Sequence, residues 1–273
     1  MSARRQRQMC IRDRYNKVST KLANLLSSSD LNGLKKLIDE LDIKDPVSGT
    51  SNWTDVKQFN LMFSTEVGSN VDNTKKLYLR PETAQGIFVN FLNVVNSTRS
   101  KVPFGIAQIG KAFRNEIIAR QFIFRMREFE QMEMQFFVRP GTELEWYEKW
   151  KEIRLKWHQS LGLGNDLYRF HDHKNLAHYA NAACDIEFKF PMGFKELEGI
   201  HSRTDFDLKK HQEKSNKKMV YFDQKSGSSF IPYVVETSIG LDRLFLSVLS
   251  SCYVEEKLDL SLIHISEPTR RPI

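Results

Sequence analysis

The chain has 273 residues, of which 11% are aromatic and 27% are charged. This composition excludes a mainly disordered protein, and no apolar run approaches the roughly 20 residues that a membrane-spanning helix needs. The three cysteines, Cys10, Cys184 and Cys252, are widely spaced and form neither a disulfide framework nor a CxxC zinc motif. The sequence therefore predicts a globular protein in a reducing, cytoplasmic setting, without a membrane partner.

The net charge of +7 is concentrated at the two ends of the chain. Residues 1–14 carry +4 and residues 261–273 carry +1, which leaves only +2 for the middle. Neither end shows hydrophobic periodicity, and QMCIRDR and SLIHISEPTRRPI resemble translated sequencing-adapter sequence. We expect residues 1–14 and 259–273 to be non-native tails, and the alternative is a basic arm that binds RNA.

Residues 15–50 predict a small helical module. Apolar residues recur at helical spacing over this stretch, and Ser29 or Asp30 can cap the second of two short helices. The turn-rich segment 45–53 then marks a break.

The segment 77–88 predicts an extended stretch that turns into a helix. Pro81 favours a helix start and keeps Arg80 out of the helical region. Two interpretations of Arg80 and Glu82 stay open at this junction: they bind a ligand, or they form a salt bridge at the helix start.

Residues 107–138 predict two strands joined by a basic loop. Because strand side chains alternate between faces, Arg114 and Glu116 share a face on the first strand. On the second strand, one face carries Arg125, Arg127, Phe129, Gln131 and Glu133, and the other carries Met132, Met134, Phe136 and Val138. We interpret the apolar face as core. The charged face predicts a nucleotide site, because arginine suits phosphate oxygens and an aromatic ring can stack on a base.

The segment 142–161 predicts the clearest helix. Thr142 and Glu145 form a possible capping box, and Gly162 is a helix stop. Three of the four tryptophans lie on its apolar stripe, and we interpret this stripe as core packing rather than as a base-stacking surface.

Three histidines, His171, His173 and His178, follow within a short segment. They raise the possibility of a metal, but the interpretation that we favour is solvated or hydrogen-bonded side chains, so no zinc site is predicted. Further along, strand alternation places Glu196 and Glu198 on one face, where they would either hold magnesium beside a nucleotide or lie in solvent.

The segment 231–249 predicts a strand followed by an apolar helix. Glu236 and Ser238 share a strand face, and Gly240 permits close approach of a ligand. Arg243 lies in the first helical turn, where the helix dipole disfavours a cation. A bound polyphosphate would explain this placement, and the alternative is a salt bridge with Glu236 or Asp242.

Five motifs together resemble a known family. FRNE at 113–116, RMREF at 125–129 and GLDR at 240–243 resemble motifs 2 and 3 of class II aminoacyl-tRNA synthetases. LYLRPETAQGIF, AQIGKAFRNEI, FRMREFEQME, ELEGI with RTDFDL, and ETSIGLDR further resemble glycyl-tRNA synthetases of the homodimeric type. The resemblance covers roughly residues 50–258, and it implies an α+β fold with a mainly antiparallel sheet flanked by helices.

The resemblance also implies an ATP site. Arg114 would hold the α-phosphate, Phe129 would stack on adenine, and Glu116 would accept from its amino group; Arg125 and Arg243 would bind the β- and γ-phosphates, with Arg114 and Arg243 as the catalytic pair. Glu196 would hold magnesium with the ATP. The implied ATP-binding residues are Arg114, Asn115, Glu116, Phe124, Arg125, Met126, Arg127, Glu128, Phe129, Glu196, Leu197, Gly240, Leu241, Asp242 and Arg243.

For the amino acid, the resemblance implies a glycine site in which carboxylates surround the ammonium group and leave no room for a side chain. Its residues would be Glu82, Phe129, Glu130, Gln131, Met132, Glu133, Glu236, Thr237, Ser238, Ile239 and Gly240. The other implied partners are tRNA(Gly) and a second copy of the chain.

Two parts of the family pattern are missing from the sequence: motif 1 and the C-terminal anticodon-binding domain. We therefore expect an internal fragment of a longer synthetase, with residues 51–258 as its catalytic core. Two alternatives stay open: a non-catalytic, synthetase-like protein that binds RNA or regulates, and an enzyme that loads activated amino acid onto a carrier protein.

Overall fold

The structure is a computed structural model that describes residues 3–68, 75–258 and 261–266. It divides into two compact units, with the boundary between Asn60 and Leu61. Within the described residues, the helices that are long enough to cross a bilayer are not apolar enough to do so.

The first unit contains two helices, α1 (Ala3–Ser27) and α2 (Leu31–Glu40). Asp30 caps α2, because its carboxylate accepts a hydrogen bond of 2.8 Å from the backbone N–H of Gly33. Of the two capping residues that the sequence offered, Asp30 is therefore the one used. Ser29 instead takes a left-handed conformation that turns the chain between the helices. Residues 3–14 are the first half of α1.

The second unit is built on a six-stranded antiparallel sheet with strand order β3-β4-β10-β7-β6-β5. Its helices are α3 (Ala84–Thr98), α4 (Glu143–Ser160), α5 (Phe206–Ser215) and α6 (Leu241–Cys252). The sheet strands are β3 (Phe104–Phe113), β4 (Glu128–Val138), β5 (Tyr168–Asp172), β6 (Ala182–Phe190), β7 (Gly193–Thr204) and β10 (Tyr233–Gly240). Three hairpins complete the described strands: β1 (Ser64–Val67) with β2 (Lys75–Tyr78), β8 (Tyr221–Asp223) with β9 (Ser228–Phe230), and β11 (Tyr253–Leu258) with β12 (Ser261–Ser266). The predicted α+β class with a mainly antiparallel sheet is confirmed.

Helices pack on both faces of the sheet. Adjacent residues of one strand contact different helices, because their side chains point to opposite sides. On one face, Phe136 of β4 packs with ring centroids 4.8 Å from Trp146 and 5.3 Å from Trp150 of α4. On the other face, Phe137 packs among Phe88 and Phe91 of α3. The tryptophan stripe of α4 therefore packs in the core, as predicted.

The predicted capping box of α4 is wrong. The hydroxyl of Thr142 donates to the carbonyl of Arg139 at 2.8 Å, and the helix N-terminus receives no side-chain cap from it. Glu143 supplies the nearby contact instead, since its carboxylate accepts from the backbone N–H of Gly141 at 2.7 Å. Gly162, which has a φ of +73°, follows the end of the helix in the left-handed region, as predicted.

Candidate active site

A cleft opens over the centre of the sheet, on the face that also carries α3 and α5. The strand register places four residues from distant parts of the sequence in one row across this face: Gln108, Glu133, Ser238 and Gly199. These four residues are neighbours because their strands lie side by side in the order β3-β4-β10-β7. Segments that are more than 100 residues apart in sequence thus contribute side chains to one site.

Most of the predicted site residues line this cleft. From the predicted ATP site they are Arg114, Glu116, Phe124, Arg125, Met126, Phe129, Glu196, Leu197, Gly240, Asp242 and Arg243. From the predicted glycine site they are Glu82, Phe129, Gln131, Glu133, Glu236, Ser238 and Gly240.

The remaining predicted residues lie outside the cleft lining: Asn115, Arg127, Glu128, Glu130, Met132, Thr237, Leu241 and Ile239. Strand alternation explains Met132 and Ile239, which point to the opposite face and pack in the core beside α4. Glu128 pairs with Lys111 at the exposed sheet edge, and Arg127 donates to the backbone carbonyl of Glu116 at 2.9 Å. Within strand β4, the cleft therefore takes alternate residues, Phe129, Gln131 and Glu133.

One end of the cleft carries arginines and aromatic rings. The guanidinium of Arg114 lies 5.3 Å from the ring centroid of Phe129 and donates to the carbonyl of Pro81 at 3.1 Å. Arg125 donates to both carboxylate oxygens of Glu116, at 3.2 and 3.1 Å. Planar cations beside an aromatic ring that lines a cleft suit a phosphorylated ligand with a base.

Arg243 extends this end of the cleft from the start of α6. Its guanidinium pairs with the carboxylate of Glu196 at 3.1 Å, and it stacks on Phe124 with 4.2 Å to the ring centroid. The alternative salt bridge of Arg243 with Glu236 or Asp242 is therefore wrong. Asp242 instead accepts from the backbone N–H of Glu130 at 3.1 Å, which joins α6 to β4.

A β-bulge separates Glu196 from Glu198. In the pairing of β6 with β7, Ile186 lies opposite Glu198 while the next residue, Glu187, lies opposite Glu196, so Leu197 is an extra residue. Glu196 consequently faces the cleft with 53% of its side chain exposed, whereas the side chain of Glu198 is fully buried on the other face. The prediction that the two carboxylates share a face is wrong.

The other end of the cleft contains the buried carboxylate of Glu133. Its oxygens accept hydrogen bonds from the hydroxyl of Thr83 and, at 2.9 Å, from the hydroxyl of Ser238. Burial and the negative charge of Glu236 raise the pKa of Glu133, and the two hydroxyl donors offset only part of this rise. Among the described residues, Glu133 thus has hydrogen-bond donors but no salt-bridge partner.

Glu236 lies next to Glu133 but is neutralised by neighbouring cations. Its carboxylate accepts from Arg203 at 2.9 Å, from His201 at 2.9 Å and from Gln135 at 2.6 Å. Burial alone would raise the pKa of Glu236, but the charge of Arg203 and the hydrogen bond of His201 outweigh it and lower the pKa. We infer that Glu236 holds the architecture of the site, while Glu133 presents negative charge to it.

His201 and Arg203 are cleft residues to which the sequence analysis assigned no role. Arg203 is buried and makes two parallel hydrogen bonds to Asp207, at 2.8 and 3.0 Å, in addition to its bond with Glu236. The sequence signal was present in the quoted RTDFDL motif, which spaces Arg203 and Asp207 by four residues. The partner Glu236 is 33 residues away, and only the pairing of β7 with β10 brings it close.

The structure separates the two residues at the start of α3. Glu82 lines the cleft and has its carboxylate 4.0 Å from the guanidinium of Arg203. Arg80 donates to the backbone carbonyl of Lys111 at 2.6 Å and is exposed. The salt bridge between Arg80 and Glu82 is therefore not formed, and of the two residues Glu82 is the one that lines the cleft.

The acidic residues at the arginine end fit magnesium only as an ion carried by phosphates. Of the two glutamates on β7, Glu196 lines the cleft, because the bulge turns Glu198 away. Glu116 and Asp242 also line it, but Glu116 pairs with Arg125 and Asp242 accepts from the backbone N–H of Glu130. Magnesium is commonly bound by one or two carboxylates together with substrate phosphate oxygens. Glu196 can therefore contribute one oxygen ligand, in exchange for its present contact with Arg243.

Of the three histidines in the segment 171–178, two lie close together and His178 lies apart from them. His173 shares a hydrogen bond of 2.8 Å with Asp185, which is the kind of environment that the sequence analysis favoured. His171 lies on the same side of the chain, with its ring centroid 5.9 Å from that of His173. His178 instead packs against Phe206.

Comparison with known proteins identifies the two units separately. Residues 63–252 match the family described as tRNA synthetase class II core domain (G, H, P, S and T), and residues 2–61 match the family described as glycyl-tRNA synthetase insertion domain 1. The junction between these matches lies within two residues of the boundary between the structural units.

Curated relatives carry the name glycine–tRNA ligase. The chain is 57% identical to that of Chlorobaculum tepidum over 227 residues and 54% identical to that of Macrococcus caseolyticus over 228 residues. The alignments cover 83% of this chain but 48% and 49% of those relatives, so the chain spans about half their length. These names do not favour the alternative of a non-catalytic, synthetase-like protein.

A solved structure supports the fold. Prolyl-tRNA synthetase of Giardia lamblia, in complex with prolyl-adenylate, matches with a TM-score of 0.51 and 20% identity, over 70% of this chain and 37% of that chain. At this identity the likeness shows the fold alone. Because the core-family match covers most of the chain, the protein belongs to the tRNA synthetase class II core family of the G, H, P, S and T type.

Proposed function

We propose that this chain carries the catalytic core of a glycine–tRNA ligase. The reaction is attack by a carboxylate oxygen of glycine on the α-phosphorus of ATP, which forms glycyl-adenylate and releases pyrophosphate. A hydroxyl group at the 3′ end of tRNA(Gly) then attacks the glycyl carbonyl, which forms the ester and releases AMP. The observation that carries the proposal is one continuous cleft with arginines and rings at one end and the carboxylate of Glu133, which no described residue pairs with a cation, at the other.

At the arginine end, Phe129 stacks on adenine and Glu116 accepts from its amino group. Arg114 contacts the α-phosphate and stabilises the negative charge that develops there during attack. Arg125 and Arg243 bind the β- and γ-phosphates, and for this they must exchange their present partners Glu116 and Glu196. Catalysis of this kind depends on positioning and electrostatics, so a protein nucleophile is not required.

Magnesium bound to the ATP phosphates would neutralise part of their charge, with Glu196 as the protein ligand. The same proposal includes a homodimer, a cytoplasmic location and residues 51–258 as the catalytic core. The homodimer and the bounds of the core rest on the resemblance of the sequence motifs to homodimeric glycyl-tRNA synthetases, and the cytoplasmic location rests on the widely spaced cysteines.

At the carboxylate end, the ammonium group of glycine binds Glu133. The ammonium group supplies the positive counter-charge that no described residue gives to the buried carboxylate of Glu133. Its contact with Glu133 is therefore more favourable than the same contact with a carboxylate that is already neutralised, such as Glu236. Glu82, Gln131 and Ser238 line the space around it, so a substrate side chain would meet polar groups that it cannot satisfy. The smallest amino acid is therefore selected by exclusion.

The test is binding of a non-hydrolysable glycyl-adenylate analogue to this chain, measured by calorimetry. We expect saturable binding at one site per chain. Arg114→Ala and Glu133→Gln should each weaken binding about 10- to 100-fold, because each removes a charged contact of roughly 1.5–3 kcal/mol.

Arg139→Ala serves as the control, since Arg139 pairs with Asp223 away from the cleft. It should bind the glycyl analogue like the unmodified chain. Equal affinity for the alanyl and glycyl analogues, or binding that is insensitive to both cleft substitutions, would contradict the proposed site.

A further inference from the structure

A cluster of potential metal ligands lies at the outer edge of the sheet, beside the cleft. β5 is the last strand, and its His171 lies directly opposite Asp185 on β6. His173 follows two residues later, so its side chain projects to the same side of the extended chain. Its position is fixed by a backbone hydrogen bond of 3.0 Å from His173 to the carbonyl of Ala183.

The three side chains converge on one point. Nε2 of His173 lies 2.8 Å from Oδ2 of Asp185, and Nδ1 of His171 lies 4.0 Å from the same oxygen. The ligand atoms of all three residues lie within 4.8 Å of one another. Zinc bound tetrahedrally at about 2.1 Å holds its ligands roughly 3.4 Å apart, so small side-chain rotations bring the set to that spacing.

The cluster is buried at its base and accessible at its rim. The side chain of Asp185 is only 13% exposed. The half-exposed rings of His171 and His173 leave a route for an ion from solvent, since their side chains are 58% and 31% accessible.

We propose that His171, His173 and Asp185 form a binding site for a divalent transition-metal ion such as Zn²⁺. Two imidazoles and one carboxylate are a donor set that suits zinc, cobalt and nickel, whereas magnesium and calcium prefer oxygen ligands. Three protein ligands leave at least one coordination position for water.

The site joins the edge strand to the wall of the cleft. Asp185 lies opposite Gly199 on β7, and Gly199 lines the cleft. The ring of His173 has its centroid 6.0 Å from that of His201, which bonds to Glu236. Metal binding would therefore tie β5 to β6 at a point next to the proposed amino-acid end, without using any residue assigned to glycine or ATP.

The test is titration of the full chain with Zn²⁺ by calorimetry and with Co²⁺ by visible absorbance. We expect one ion per chain at the cluster and a rise in thermal midpoint with Zn²⁺, because an ion that binds only the folded state stabilises it. His171→Ala and His173→Ala should each lower the affinity at least tenfold and remove the rise.

His178→Ala is the matched control, since it removes a histidine from the same segment but outside the cluster. It should retain the affinity within about twofold. Asp185→Asn keeps the size of the side chain and should lower the affinity while leaving far-ultraviolet circular dichroism unchanged. Three results would overturn the proposal: no saturable one-to-one binding, an affinity in the His171→Ala and His173→Ala variants equal to that of the unmodified chain, or a sulfur-to-cobalt charge-transfer band that survives in these variants.

Discussion

Two neighbouring carboxylates in the cleft differ in how their charge is balanced. Glu236 is surrounded by Arg203, His201 and Gln135, and its negative charge is neutralised. Glu133 receives hydrogen bonds from two hydroxyl groups, and its pKa is raised by burial and by Glu236. A buried charge without a counter-ion costs stability in the free protein, and a bound ammonium group recovers that cost.

This difference predicts a trade between stability and binding at Glu133. The folded-state pKa of Glu133 is raised, so the folded protein holds this proton over a pH range where the unfolded chain has lost it. The resulting cost is absent below the unfolded pKa and grows as pH rises toward the folded pKa. Glu133→Gln should therefore raise the thermal midpoint at pH 8 more than at pH 4, while it weakens binding of the glycyl-adenylate analogue.

The check is a set of thermal unfolding scans of both proteins between pH 4 and pH 8. Glu236→Gln is the informative comparison, because its pKa is lowered and it should lose stability at neutral pH instead. A destabilisation of Glu133→Gln that increases with pH would contradict the charge assignment.

At the scale of elements, the bulge in β7 places Glu196 on the cleft face and Glu198 on the face that α4 covers. On the far face, Glu198 accepts two hydrogen bonds from Arg154 of α4, at 2.6 and 3.1 Å, and shares a third with His158 at 2.6 Å. The side chains of Glu198 and His158 are fully buried. This network attaches α4 to the strand that carries the cleft residues Leu197 and Gly199.

The same substitution should affect a different property at each glutamate: stability at Glu198 and ATP binding at Glu196. Glu198→Gln should lower the free energy of unfolding by about 3 kcal/mol, because loss of one partner leaves a buried charge uncompensated. Glu196→Gln should change it by no more than about 0.5 kcal/mol, since its side chain is half exposed, but it should weaken ATP binding. Urea unfolding with calorimetric ATP binding measures both, and equal stability losses would contradict the opposite-face placement.

The elements also show what could be predicted from sequence. Strand alternation correctly separated Phe129, Gln131 and Glu133 from Met132 and Phe136, because a period of two follows directly from extended backbone geometry. The same rule failed at Leu197, since one inserted residue reverses the alternation and leaves no mark in the spacing. Pairing partners were also out of reach, as the bonding of Arg243 to Glu196 across 47 residues illustrates.

At the scale of the whole molecule, strand order creates the site. The sheet interleaves late and early parts of the chain, so that β10 lies between β4 and β7. The motifs recognised in the sequence thereby converge on one face, although they are spread from residue 77 to residue 243. Motif order predicted the family and the fold, while the roles of His201 and Arg203 required the three-dimensional pairing.

The most direct test of the central claim is glycine-dependent ATP–pyrophosphate exchange, measured with the chain extended to the full length of its curated relatives. We expect exchange with glycine and at least 100-fold less with alanine or serine. Arg114→Ala should reduce the glycine-dependent rate about 10²- to 10³-fold, the usual effect of removing one donor that stabilises transition-state charge, while Arg139→Ala should leave it unchanged. Exchange that is driven by another amino acid but not by glycine, or that survives Arg114→Ala at full rate, would contradict the assignment of this cleft.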